Sequence, residues 1–287
     1  MSQSRKTLLL GAVAYDPKVV TIWEGFRDFF AAHELDFDVV LFTNYERQVL
    51  AHLDGAVDVA WNSPLAWLQF EAAAARRGRA AAAIAMRDSD RDLSSYIVVR
   101  EGGGVGSLAE LRGKTIAVGA SDSPQATMIP LQLLREQGLQ PGRDVEVRRF
   151  DVLVGKHGDH IGGERDAARA LMAGEVAAAC MIDGNHLLFA REGVLPAGST
   201  KVLAQTPPYD HCNFSVFAEL QDDPRLRRFV ELLLGMSYAD AAVRPLMDLE
   251  GLKQWLPGRI SGYAQLERAC AATSALAPLL ALAEGLP

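Results

Sequence analysis

The stretch that decides the fold is Ala117–Leu134, AVGASDSPQATMIPLQLL. An apolar strand runs into a loop of small polar residues, Ser121-Asp122-Ser123, and a helical pattern begins at once at Pro124. Ser or Asp ahead of a proline at the first helical position is an ordinary helix start. The same geometry turns backbone N–H groups and the positive end of a helix toward an anion. The hydroxyls of Ser121 and Ser123 add donors, and Gln125 stands in the first turn. Plain cap and anion cradle both remain open from these residues alone.

Outward from this stretch, strand and helix signals alternate, the pattern of an α/β protein. KTLLLGAVA (6–14), DFDVVLFT (36–43) and VDVAWNS (57–63) read as strands with helices between them. In the first helix Val20, Trp23, Phe26 and Phe30 share one stripe. The glycines at 102–104 break the chain near residue 100. A second α/β unit follows, with strands KTIAVGA, DVEVRRFD and VAAACMID and helices starting near Pro124 and Glu164. TKVLAQT and NFSVFAEL lead back out, and the tail from Pro224 reads as helical. The expected lobes are 1–98 with 203–287, and 99–202, with a cleft between them. Ligands in open α/β sheets sit beyond the carboxyl ends of strands. The polar residues at such ends are Tyr15-Asp16, Asn62-Ser63, Ser121 to Ser123, Asp183 to Asn185, and His211.

The 287 residues carry a net charge of −7, which argues against nucleic acid and anionic membrane as partners. A local site can still take a small anion. Three widely spaced cysteines, Cys180, Cys212 and Cys270, form neither a disulfide framework nor a CxxC zinc pair. No cofactor is expected, and no oligomer signal stands out. Arg5 and Lys6 precede only the short run TLLLGAVAY, closed by Asp16, so the run reads as a strand rather than a leader. No run reaches the ~18 apolar residues of a membrane span. The expectation is a cytoplasmic protein, or a periplasmic one if a signal peptide has been removed.

The least ordinary segment is GKHGDHIGGERDA, 155–167. His157 and His160 lie three apart in a Gly-rich loop, with Glu164 and Asp166 beyond. Two histidines and a carboxylate can hold a metal, but a loop without a fixed helix makes His157, His160 and Glu164 a minor metal reading beside ligand contact or a solvated loop. Asp183 ends a strand, with His186 one helical turn on. His211 beside Cys212 raises a nucleophile–base pair. Adjacent residues on an extended segment point to opposite faces, which argues against that pair.

Over nearly its whole length the chain resembles the type II periplasmic-binding-protein fold, and within it the phosphonate/phosphite substrate-binding proteins of ABC transporters. The stretches that carry the resemblance are VDVAWNSPLAW, SLAELRGKTIAVGASDSPQATMIPLQLLREQG, ARALMAGEVAAACMIDGN and RPLMDLEGLKQWLPGRISGY. The resemblance implies two α/β lobes, each a mixed sheet flanked by helices, that close by hinge motion on a small anionic ligand. It implies a phosphonate-, phosphite- or phosphate-like ligand or another organic oxyanion, with an ABC permease as partner if the protein is exported. It places Tyr15, Tyr96, Asn62, Ser63, Ser121, Ser123 and Gln125 at the ligand, with His157 or His160, and Asp183 facing a cationic ligand group. The turn departs from the family's Ser-Thr-Ser-Gly pattern. Pro124 removes one N–H donor, and Asp122 adds a carboxylate that repels a dianion. A monoanion, carboxylate or sulfonate suits this version better. Cytoplasmic lyases, decarboxylases and dehydratases share the fold that the chain resembles. On that alternative His160, Asp183 or His211 serves as general acid or base.

Overall fold

The computed structural model describes residues 6–14, 17–151 and 160–285. The chain begins β1 (Leu8–Val13), α1 (Lys18–Ala32), β2 (Phe37–Phe42), α2 (Tyr45–Leu53), β3 (Val59–Asn62), α3 (Pro64–Arg76) and β4 (Ala81–Arg87). It continues β5 (Ser95–Arg100), β6 (Thr115–Val118), α4 (Ile129–Glu136), β7 (Glu146–Arg149), α5 (His160–Ala173), β8 (Ala178–Ile182), α6 (Asp183–Arg191) and β9 (Thr200–Gln205). It ends β10 (Asn213–Phe217), α7 (Pro224–Gly235), α8 (Arg244–Glu250), β11 (Trp255–Pro257), α9 (Ala264–Thr273) and α10 (Ala277–Glu284).

Two compact units result. One spans Met1–Arg91, Asp210–Tyr263 and Ser274–Pro287; the other spans Asp92–Tyr209 and Ala264–Thr273. The breaks expected at 98/99 and 202/203 fall inside β5 and β9. Those strands pair with each other, Val98 opposite Val202, and β5 also pairs with β8, so a cut there would divide one sheet. The glycines after Arg100 make only a turn. Helix α9 belongs to the second unit because Arg268 meets Glu136 of α4 at 3.0 Å and Gln265 donates to the Pro207 and Pro208 carbonyls.

The first unit is built on a six-stranded sheet in the order β11-β4-β10-β3-β1-β2. Its β1, β2 and β3 run parallel, whereas β10 pairs antiparallel with β3 and β4. Helix α1 buries Val19, Ile22, Trp23, Phe26 and Phe30. The stripe therefore runs through Val19, and Val20 is exposed. These rings meet Phe214, Phe229 and Trp255 in an aromatic core. The tail is not wholly helical. Strand β11, with Trp255 buried, pairs with β4 at the sheet edge.

The second unit has a five-stranded sheet, β7-β6-β8-β5-β9. β6 is parallel to β7 and β8; β5 is antiparallel to β8 and β9. Alternation along its strands loads both faces with apolar groups. Ile97, Val99, Ile116, Val118 and Cys180 pack with Leu131 and Leu134 on one face. Val98, Ala117, Ala179 and Met181 pack with Ala167, Leu171 and Phe189 on the other. Among the described residues no single helix is long and apolar enough to cross a membrane.

Candidate functional site

In the second unit the carboxyl ends of β6, β7 and β8 share one edge of the sheet, and helix starts follow β6 and β8 directly. After β6 the chain passes through Gly119 to Ser123 into a wide helical turn, Pro124–Met128, that continues as α4. Ser123 caps this turn. Its Oγ accepts the Ala126 N–H at 3.1 Å, and the side chain is fully buried. Thr127 Oγ1 donates to the Ala120 carbonyl at 2.8 Å. Gly119 is required here, since a Cβ on it would lie 2.8 Å from the Ala126 methyl. Both hydroxyls thus hold the loop in shape, and Ser121 alone of the two predicted serines is exposed. Gln125 is buried, and its carbonyl accepts from Ser95 Oγ, which also meets the Tyr209 hydroxyl at 2.7 Å.

Helix α5 starts against the same edge. A Cβ on Gly163 would stand 2.6 Å from the Phe150 carbonyl and 3.6 Å from the Ala120 nitrogen. Next to it Glu164 is fully buried and accepts from Ile182 N–H at 3.0 Å and Asn185 Nδ2 at 2.8 Å. Its carboxylate therefore ties α5 to the β8–α6 corner. His157 and Tyr15 lie outside the described residues. His160 opens α5, and its side chain lies outside the described set.

Asp183 is the first residue of α6. Its Oδ1 accepts the Gly184 N–H at 2.7 Å, and its Oδ2 faces the Ser94 N–H at 3.4 Å. Half-buried Tyr96 meets the His186 ring edge-on, with centroids 5.6 Å apart. Burial pushes the His186 imidazole below its ordinary value, and its buried Nε2 has no hydrogen-bond partner among the described residues. Position one turn into α6 was the only sequence signal for this residue. Ser121, Tyr96, Asp183 and His186 thus share a unit with three helix or turn starts, whose N–H groups and positive ends are of the kind that suits an anion.

In the first unit Ser63 caps α3, accepting the Ala66 N–H at 3.3 Å. Asn62 is fully buried and engaged. It accepts from Gln48 Nε2 at 2.7 Å and donates to Ser215 Oγ at 3.0 Å. The chain of bonds runs on through Asn213 to the Tyr263 hydroxyl, which donates to the His211 carbonyl.

His211 and Cys212 do face each other, contrary to the alternation argument. Nδ1 lies 3.1 Å from Sγ. The reason is local: β10 begins only at Asn213, so the pair lies on irregular chain where strand alternation does not apply. Burial, and then the nearby Asp90 carboxylate, push the thiol pKa well up, which disfavours the thiolate that a nucleophile needs. Asp90, buried, is gripped by Arg87 through both oxygens at 2.5 and 2.9 Å. Burial opposes its ionisation, but Arg87 and His211 prevail and hold the carboxyl at about 2. Arg87 also reaches the carboxylate of Glu250 at 3.1 Å. Burial pushes Glu250 up to about 7 despite that contact. All three cysteines are free and buried.

Several solved structures share this fold. One is PhnD1 from Prochlorococcus marinus in complex with methylphosphonate, at 16% identity and TM-score 0.66, covering 94% of this chain and 98% of that one. XAC2383 from Xanthomonas citri bound to ATP matches at 16% identity and TM-score 0.70, covering 96% and 99%. The periplasmic aliphatic sulphonate binding protein SsuA from Escherichia coli matches at 16% and 0.60, covering 95% and 88%. The two mixed sheets with flanking helices are those of the type II periplasmic-binding-protein fold. Residues 12–263 match the family described as ABC transporter, phosphonate, periplasmic substrate-binding protein, and the chain belongs to that family.

Proposed function

We propose that the chain is the substrate-binding subunit of an ABC transporter and that its ligand is a small monoanionic oxyanion, sulfonate-like or a singly charged phosphonate. One observation carries the ligand reading. The strand ends of the second unit gather the loop from Gly119 to Ser123 and the starts of α5 and α6 on one edge, where helix ends favour negative charge. Ser123 and Thr127 turn their hydroxyls inward, Pro124 has no N–H, and Asp122 adds negative charge. Such a loop offers few donors to a dianion. The family points to a permease as partner. The family match and the neighbours give the lyase alternative no support.

The test is a thermal-shift panel of methylphosphonate, phosphite, phosphate, alkanesulfonates and carboxylates, with each hit analysed for chemical change. A ligand at about 100 times its Kd adds about 2.7 kcal/mol of stability. A sulfonate or monoanion should give the largest shift, be recovered unchanged, and be weakened by Ser121→Asp, which places a charge on an exposed position. A panel in which no anion shifts the melt, or a hit indifferent to Ser121→Asp, overturns the site. The family's description is periplasmic, the alternative held beside the cytoplasmic expectation above. Recovery in an osmotic-shock fraction supports the transporter role; recovery only with cytoplasmic proteins removes the permease as partner.

A further inference from the structure

We propose that Asp90, His211 and Cys212, all in the first unit, form a binding site for a zinc-class divalent cation, a role beyond the anion binding proposed above. The three donor atoms, a carboxylate oxygen, Nδ1 and Sγ, all lie within 4.8 Å of one another. Nδ1 stands 3.5 Å from Asp90 Oδ1 and 3.1 Å from Cys212 Sγ. Around a tetrahedral zinc with bonds of about 2.0 Å to nitrogen and oxygen and about 2.3 Å to sulfur, those edges would be about 3.3 and 3.5 Å. The donors therefore stand within a few tenths of an ångström of metal-site spacing on two edges. Sulfur, imidazole and carboxylate together suit zinc rather than calcium or magnesium.

The surroundings fit a ligand set held in place from outside. Asp90 Oδ1 also accepts the Cys212 N–H at 3.2 Å, and Arg87 grips both carboxylate oxygens, the kind of support that orients metal ligands. Charge closes as well. A divalent ion that expels the thiol proton to solvent meets one thiolate, one carboxylate and a neutral imidazole, two negative charges against its two positive ones. Asp90 and Cys212 are buried, while His211 is one-fifth exposed and gives the entry side and a fourth coordination position for water.

The experiment is titration of the purified full chain with Zn²⁺ against a chelating dye, and with Co²⁺ read in the near ultraviolet. One equivalent of Zn²⁺ should bind, and a thiolate-to-cobalt charge-transfer band should appear. Because one thiol proton leaves, affinity should rise about tenfold per pH unit between about pH 7 and about pH 8. Cys212→Ala should abolish the band and, like His211→Gln, cost at least about tenfold in affinity. His211→Gln changes a side chain that is one-fifth exposed and should keep the fold, which a metal-free melt checks. Absence of the cobalt band in the unaltered protein, or zinc binding that both variants retain, overturns the proposal.

Discussion

His52 is where the structure makes its sharpest energetic statement. The side chain lies on α2, fully buried, stacked on Phe70 at 4.1 Å and 5° and beside Phe217 at 5.5 Å. The Arg79 guanidinium covers the Phe217 ring. Neither ring nitrogen of His52 has a close hydrogen-bond partner among the described residues. Burial is the main cause that drops its pKa from 6.5 to about 3; the Asp58 backbone opposes this and Arg79 adds to it. The unfolded chain thus takes up a proton that the native chain refuses. Stability is full above pH 6.5 and is lost as pH falls toward 3. Between about pH 7 and about pH 4.5 this one group removes about 2.5 kcal/mol. The figure hardly moves if the native pKa is about 4, because the window still lies above it.

His52→Met keeps a similar volume against Phe70 and has nothing to protonate. All four tryptophans, Trp23, Trp61, Trp67 and Trp255, belong to the first unit, so their fluorescence in urea follows the unit that holds His52. The remaining titratable groups are common to both proteins and cancel in the difference. The variant's stability minus the unaltered protein's should therefore rise by about 2.5 kcal/mol on going from about pH 7 to about pH 4.5. As a melting shift that is about 5–10 °C for a protein of this size. A difference that stays constant within about 0.5 kcal/mol would show that His52 accepts its proton normally in the folded state, and the burial argument would fail.

Asn62→Ala leaves Gln48 Nε2 and Ser215 Oγ each short of a buried partner and should cost about 2–4 kcal/mol in the same urea assay. Anion affinity of the folded protein, by calorimetry, should stay within about twofold, because the Asn62 amide is engaged inside the unit; a tenfold loss of affinity without loss of stability would return Asn62 to the ligand. Gly163→Ala should destabilise by about 1–3 kcal/mol by circular dichroism, opposite in sign to the usual gain of alanine in a helix, because its Cβ meets the Phe150 carbonyl. The same change should weaken anion binding, since it moves the start of α5; a stabilised protein with unaltered binding would remove α5 from the site.

The sheet strands and most helices were legible because burial imposes a period, and a period survives in a single sequence. VAAACMID reads as a strand, and β8 is that, buried along four of its five residues. Legibility failed where no period has room to show. Three residues of β11 carry no alternation, so Trp255 passed for part of a helical tail. The one-residue slip from Val20 to Val19 is of the same kind, since both fit an apolar stripe and only packing distinguishes them. The domain breaks were misplaced because glycines mark where a chain turns, while strand pairing decides which sheet it belongs to.

Site chemistry was harder to read for a different reason. Ser123 is the same residue whether its oxygen caps a helix or greets a ligand, and only the 3.1 Å bond to Ala126 shows which way it is turned. Asn62 is a further instance, polar at a strand end yet bonded to Gln48 and Ser215. His211 and Cys212 fail in the opposite direction. Their adjacency argued for separation, and a stretch of irregular chain before β10 brings them together beside Asp90. A residue type states what a side chain can do. Whether it is free to do so depends on neighbours distant in sequence. Hydroxyl-rich turns in this fold therefore need their donors counted in three dimensions before a ligand charge is inferred. In this chain that count, with two hydroxyls turned inward and one N–H missing, is why the ligand we propose carries one negative charge rather than two.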